Sequence, residues 1–141
     1  MTTQYPVLTY GTLRPGNHNY VLLDGYTTYE ADVDVEGFNM YVFSGYPYVI
    51  DGEDTIKATL NFVHADVYDD VMYDLDMLEG FLGEGNPFNH YDRILVDVDF
   101  ADTTIKAWMY VARDAVTVAR VKDQLRYWPF GDWNLYKSVL V

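Results

Sequence analysis

The sequence predicts an α+β domain: a row of strands with two helices set among them, its sheet free to curl into a barrel around its own core. Three observations predict it. Runs rich in β-branched and aromatic residues, punctuated by glycine-bearing turns, fill residues 6–63. The hydrophobic period then changes at Asp66 to helical spacing. Further on, residues 93–100 alternate between apolar and polar, the mark of a half-buried strand.

Taken in order, residues 6–10 form a short apolar strand. Residues 27–36 and 38–43 read as two strands parted by Gly37, and residues 46–50 as another. The segment "DGED", 51–54, reads as a turn before a strand over 55–63. Val67, Val71, Leu75 and Leu78 then recur every three or four residues. Asp66 is placed to cap that helix, and Asp69 and Asp70 suit the positive end of its dipole. Gly80 supplies the left-handed residue that ends such helices. In the next strand Ile94, Val96, Val98 and Phe100 share one face, and Leu95, Asp97 and Asp99 the other. A strand over 104–112 and a second helix over 115–126 follow, and the aromatic tail "YWPFGDWNLY" (127–136) reads as ordered. No linker, repeat or low-complexity segment interrupts the chain, so residues 1–141 are expected to form one domain.

Composition narrows the function. Half of the 141 residues are hydrophobic and 17% aromatic, enough for a packed core. Nine basic residues against 22 acidic ones give a net charge of −13, which excludes a phosphate-binding surface for nucleic acid and disfavours an anionic membrane as partner. Without cysteine there is no disulfide, thiolate metal site or thiol nucleophile. Met1-Thr2-Thr3-Gln4 lacks the basic and apolar regions of a signal peptide, and no run is long enough to span a bilayer, so a cytoplasmic protein is expected. Ser44, in "VFSGY", does not sit on a nucleophile elbow. His18, His64 and His90 have no metal-ligand spacing. "DVDVEG" (32–37) opens like a calcium loop, yet its twelfth position is Phe43 where a bidentate glutamate is required. No Walker lysine or dinucleotide fingerprint is present, and neither metal nor cofactor is expected. Carboxylates, tyrosines and backbone remain.

One carboxylate breaks a local rule. Glu79 falls at the carbonyl end of the first helix, where the macrodipole disfavours negative charge by roughly 0.3–1 kcal/mol. It is either a solvated residue at a frayed end or a functional acid whose pKa would rise in an apolar cavity. The stretch Tyr10-Gly11-Thr12-Leu13-Arg14-Pro15-Gly16 has a parallel ambiguity. It is either a turn alone or a concavity of backbone N–H groups that binds an anion, with Arg14 adding charge or pairing with one of the acids.

Together these stretches resemble the γ-glutamylcyclotransferase-like family, which includes AIG2-like proteins and γ-glutamylamine cyclotransferases. Residues 10–16 fit its Y-G-[ST]-L-R-x-G motif. Leu75-Asp76-Met77-Leu78-Glu79-Gly80-Phe81 fits its helix-ending acidic segment. Tyr91-Asp92-Arg93, Ala107-Trp108-Met109-Tyr110 and Gly131-Asp132-Trp133 follow in family order. The resemblance implies a mixed, largely antiparallel sheet curled into a small barrel with flanking helices. It implies a γ-glutamyl substrate whose α-carboxylate rests on the loop of Tyr10, Gly11, Thr12, Leu13 and Arg14, with the backbone mattering more than the arginine. It also implies Glu79 as the base and acid of a cyclisation that releases 5-oxoproline and a free amine. Tyr46, Tyr91 and Tyr110 are carried as substrate-lining candidates, Tyr46 and Tyr110 against the alternative of ordinary core. The loop "FLGEGNPFNH" (81–90), with Glu84, is longer than in compact members. Two other functions stay open: an acidic binding or decoy module on the same fold, and γ-glutamyl deprotection of a biosynthetic intermediate. A small-molecule substrate and a monomer or homodimer are expected.

Overall fold

A computed structural model describes residues 3–43 and 45–139; Ser44 and the Met1-Thr2 pair lie outside the described residues. The elements run β1 (Val7–Thr9), β2 (Thr27–Val42), β3 (Pro47–Val63), α1 (Tyr68–Glu79), β4 (Asp92–Phe100), β5 (Thr103–Val111), α2 (Ala115–Gln124), β6 (Arg126–Tyr127) and α3 (Trp133–Val139). The six strands form one mixed sheet in the order β4-β5-β1-β3-β2-β6. The β1–β5 pairing is parallel; the others are antiparallel. The sheet curls into a half-barrel that brings the far end of β4 back toward β2. The ring of Phe100 lies 5.6 Å from Phe62 and 6.1 Å from Tyr29.

Both faces of the sheet are covered, which is why several strands are buried without alternation. Inside the curl pack Leu8, Val35, Met40, Ile56, Leu60, Val98, Met109 and, from the aromatic tail, Trp128, Trp133 and Tyr136. On the other face Val7, Tyr48, Ile50 and Tyr110 meet Tyr68, Val71, Met72 and Leu75 of α1 and Val121 of α2. Residues 68, 71, 72 and 75 form one helical stripe, and burying each such side chain contributes about 1.5–3 kcal/mol.

Four expectations change. Gly37 does not end a strand, and "DGED" is not a turn: β2 and β3 each run through these points as one long ladder. The register shifts between Glu36↔Thr55 and Phe38↔Asp51, so residues 52–54 bulge opposite Gly37. The side-chain carbonyl of Asn39 accepts the N–H groups of Glu53 and Asp54, replacing the ladder bonds lost there. Asp66 does not cap α1. It lies in a single 3₁₀ turn over Ala65–Val67, and the helix begins at Tyr68 with no side-chain cap. The second helix ends at Gln124, freeing residues 126 and 127 to pair with β2. The tail holds a third helix, α3, which the aromatic composition masked.

Gly131 docks this tail onto β3. Its carbonyl accepts the Lys57 N–H at 2.8 Å, its φ is +62°, and a Cβ there would stand 2.4 Å from the Thr55 carbonyl oxygen. Gly131→Ala is therefore expected to lose about 2–4 kcal/mol from left-handed strain and backbone overlap together. Urea unfolding measures this; a loss under about 1 kcal/mol would show that the contact relaxes.

Candidate active site

β1 ends at Thr9, and the chain turns away from the sheet over residues 10–16. The turn is tied by Arg14 N–H to Gly11 O at 3.0 Å and Asn19 N–H to Thr12 O at 3.0 Å. Asn19 also donates its side-chain amide to Thr12 Oγ1 at 2.8 Å. Among the described residues, nothing accepts the N–H groups of residues 11–13. Unpaired amides are costly unless a ligand or water meets them, so three in succession at a strand end make a site for an anion. Gly11 lets the turn lie against Pro47, whose ring carbons would be 2.8 and 2.9 Å from an added Cβ.

The end of α1 closes on the same place. Gly80 adopts φ +67°, and its N–H and that of Phe81 return to the carbonyls of Asp76 and Met77. After the loop 81–90 the chain comes back, His90 N–H donating to Gly80 O at 2.9 Å and Tyr91 N–H to Glu79 O at 3.3 Å. The residue carrying the acid is thereby clamped on both sides. Glu84, on that loop, is exposed and does not line the cavity.

A cavity of about 270 Å³ joins the two features: Tyr10, Gly11, Thr12 and Leu13 line it together with Glu79, Tyr46, Tyr91 and Tyr110. Eight of the nine expected site residues therefore meet in one place. Arg14 is the exception. Its buried side chain leaves the cavity for Asp132 (3.2 Å), Thr59 Oγ1 (3.2 Å) and Asp32 (3.6 Å), anchoring the loop to the sheet and to the start of α3. The expectation of Arg14 as a substrate contact is corrected accordingly, and its ion-pair reading stands.

Burial alone pushes the Glu79 carboxyl from its usual range up to about 7. No side chain among the described residues pairs or hydrogen-bonds with it. The tyrosines around it cannot compete as bases, because burial pushes the phenols of Tyr10, Tyr91 and Tyr110 up and keeps them protonated. Tyr10 donates to the Tyr110 carbonyl at 2.6 Å, and Tyr110 donates to Asp76 at 2.6 Å. Arg93 completes this network by holding both Asp76 oxygens at 2.9 and 3.0 Å. Its guanidinium stacks 4.6 Å from Trp108 and 5.1 Å from Phe81. His90 also lines the cavity, its imidazole 3.3 Å from the Tyr48 hydroxyl and kept neutral by burial and by Arg120. Sequence reasoning missed His90, His18 and Asn19, of which only His90 was hinted at, by its nearness to Tyr91; Pro47 came with the Tyr46-Pro47 segment that the resemblance placed near the cavity. Among the described residues no cluster of His, Asp and Glu is arranged to hold a metal, and no helix is long and apolar enough to cross a membrane.

A curled mixed sheet thus carries one cavity lined both by Glu79 and by the loop 10–13. The chain belongs to the γ-glutamyl cyclotransferase, AIG2-like family, whose model matches residues 7–135. It is 24% identical over 131 residues to the γ-L-glutamyl-butirosin B γ-glutamyl cyclotransferase of Niallia circulans, covering 93% of this chain and 76% of that relative. Its fold is similar to that of PH0828 from Pyrococcus horikoshii, with a TM-score of 0.62 at 20% identity over 96% of this chain and 95% of the other. YkqA from Bacillus subtilis gives a TM-score of 0.67 at 18% identity, over 96% of this chain and 42% of that one.

The raised Glu79 pKa carries a stability cost. Between pH 4.5 and about 7 the folded state holds a proton that the unfolded chain has released, so stability falls as pH rises through that window. Glu79→Gln is expected to be more stable than the parent at pH 8 by up to about 3 kcal/mol, the gain vanishing near pH 4. Thermal unfolding across pH checks this; equal stability at pH 8 would mean that water reaches the carboxyl.

Proposed function

We propose that the protein is a γ-glutamyl cyclotransferase that converts a γ-glutamyl amide to 5-oxoproline and a free amine, with Glu79 as the base and acid. The observation that carries this reading is the meeting, in one cavity, of three unpaired backbone amides and one carboxyl poised near neutrality. The α-carboxylate of the substrate sits on the N–H groups of residues 11–13. The ionised Glu79 carboxylate takes a proton from the substrate's α-ammonium group. The freed amine attacks the γ-carbonyl carbon, forming the new C–N bond and a tetrahedral oxyanion. On collapse the original amide C–N bond breaks, Glu79 returns its proton to the departing nitrogen, and the new ring nitrogen sheds its second proton to water, leaving the neutral lactam and the free amine. Water is not consumed, and the substrate brings its own nucleophile. The protein's tasks are to fold the substrate into a near-attack geometry and to move one proton.

The relative from N. circulans is named for γ-L-glutamyl-butirosin B, which favours as a second reading the γ-glutamyl deprotection of a biosynthetic intermediate by the same steps.

Purified protein incubated with a panel of γ-glutamyl amides is expected to release 5-oxoproline, measured chromatographically. Glu79→Gln, which keeps the shape but cannot accept the proton, is expected to lower kcat by about a hundred- to ten-thousand-fold. In the parent, kcat/KM is expected to fall about tenfold per pH unit below about 7, where Glu79 becomes protonated. Absence of 5-oxoproline from the whole panel, or undiminished turnover by the glutamine variant, would overturn the assignment.

A further inference from the structure

The cavity has a direction. At its inner end Tyr10, Tyr91 and Tyr110 are buried, whereas at the outer end Tyr46 and Leu78 are each 43% exposed. Tyr46 is the exposed ring at the rim, with buried rings packed behind it and Phe43 beyond it. Tyr91 lies 5.4 Å from Tyr48, Tyr48 lies 5.5 Å from Tyr46, and Tyr46 lies 6.4 Å from Phe43, itself exposed. Behind this rim the Tyr48 hydroxyl is engaged by His90. Among the described residues, the lining contains no lysine or arginine and no carboxylate besides Glu79. Arg120 influences Tyr48 and His90 from outside the lining. At about 270 Å³ the cavity is also smaller than the roughly 300–1,000 Å³ usual for whole drug-sized ligands, so the far part of any sizeable amine must lie over the rim.

We infer that the leaving amine departs over the exposed Tyr46 ring at the rim toward Phe43, so that the preferred substrates are γ-glutamyl amides of uncharged aromatic or apolar amines. The inference rests on the cyclotransferase reading. A ring or alkyl chain on the amine covers exposed apolar surface and meets aromatic faces at stacking distance. A carboxylate beside the scissile nitrogen meets no cation in the lining, and a protein of net charge −13 repels it. A second ammonium meets only Glu79, whose charge is needed for proton transfer.

The test compares kcat/KM for γ-glutamyl-phenethylamide, γ-glutamyl-L-phenylalanine, ε-(γ-glutamyl)-lysine and γ-glutamyl-L-glutamate. The phenethylamide is expected to lead each of the others by about tenfold. Tyr46→Ala, at an exposed ring, is expected to shrink that lead to below about threefold, and Tyr46→Phe to keep it. Turnover of the panel without an aromatic lead, or a lead that survives Tyr46→Ala, overturns this inference and leaves the cyclotransferase reading intact. No 5-oxoproline from any probe overturns both.

Discussion

Three residues of β1 hold the molecule in register. Val7–Thr9 is the shared member of two subsheets, pairing antiparallel with β3 on one side and parallel with β5 on the other. Such a short strand has few ladder bonds of its own, so its place is fixed by side chains. Asn61, fully buried on β3, donates its amide to the Val7 carbonyl and to Thr9 Oγ1, locking the strand against sliding. Val7 and Leu8 enter opposite cores, so a slip by one residue would exchange every buried side chain. Everything at the site inherits this register, because the loop 10–13 begins where β1 stops.

The opposite wall is fixed by a different device. α1 ends in a left-handed glycine, and the returning chain caps the Glu79 and Gly80 carbonyls with the amides of Tyr91 and His90. A turn earlier, Asp76 gathers Arg93 from β4 and Tyr110 from β5. One carboxylate thus ties the last turn of the helix to the two strands beyond it. Asp76 and Glu79 are three residues apart yet have opposite fates. Burial pushes the Asp76 carboxyl up, but its hydrogen bond from Tyr110 and its ion pair with Arg93 oppose that push. Glu79 has no partner among the described residues, and burial acts on it unopposed. The difference in partners, not in residue type, is what leaves one tied into the structure and the other free to exchange a proton near neutrality, as the proposed reaction needs.

The parts of this arrangement written in local chemistry were readable from the chain. Gly80 announced the helix end, and Gly11 and Gly16 announced a turn after an apolar run. The alternation from Ile94 to Phe100 gave its strand the correct face. Local chemistry also misled: "DGED" has the composition of a turn, but Asn39, twelve or more residues away in sequence, satisfies its amides and keeps it in the sheet. Arg14 was drawn toward the cavity by its place in the motif. Its partners Asp132, Thr59 and Asp32 come from three distant elements, and no periodicity could foretell that meeting. His90 and Pro47 entered the cavity wall for the same reason: their position depends on tertiary closure, not on spacing.

In the proposed reading the anion site is made of backbone, and the charge of the molecule explains why. With 22 acids against nine bases, the long-range field opposes any anionic ligand. A guanidinium in the cavity would offset that, but it would also stabilise the Glu79 carboxylate and pull its pKa back toward the ordinary range, weakening it as a base near neutrality. Amide dipoles act over a shorter distance than a full charge. Three N–H groups can therefore meet a carboxylate in contact while leaving a neighbouring acid largely unperturbed. Turning Arg14 away to Asp132 thus has two effects: it pins the loop 10–13, and it keeps a permanent cation away from Glu79, so that burial alone sets the pKa on which the proposed mechanism relies.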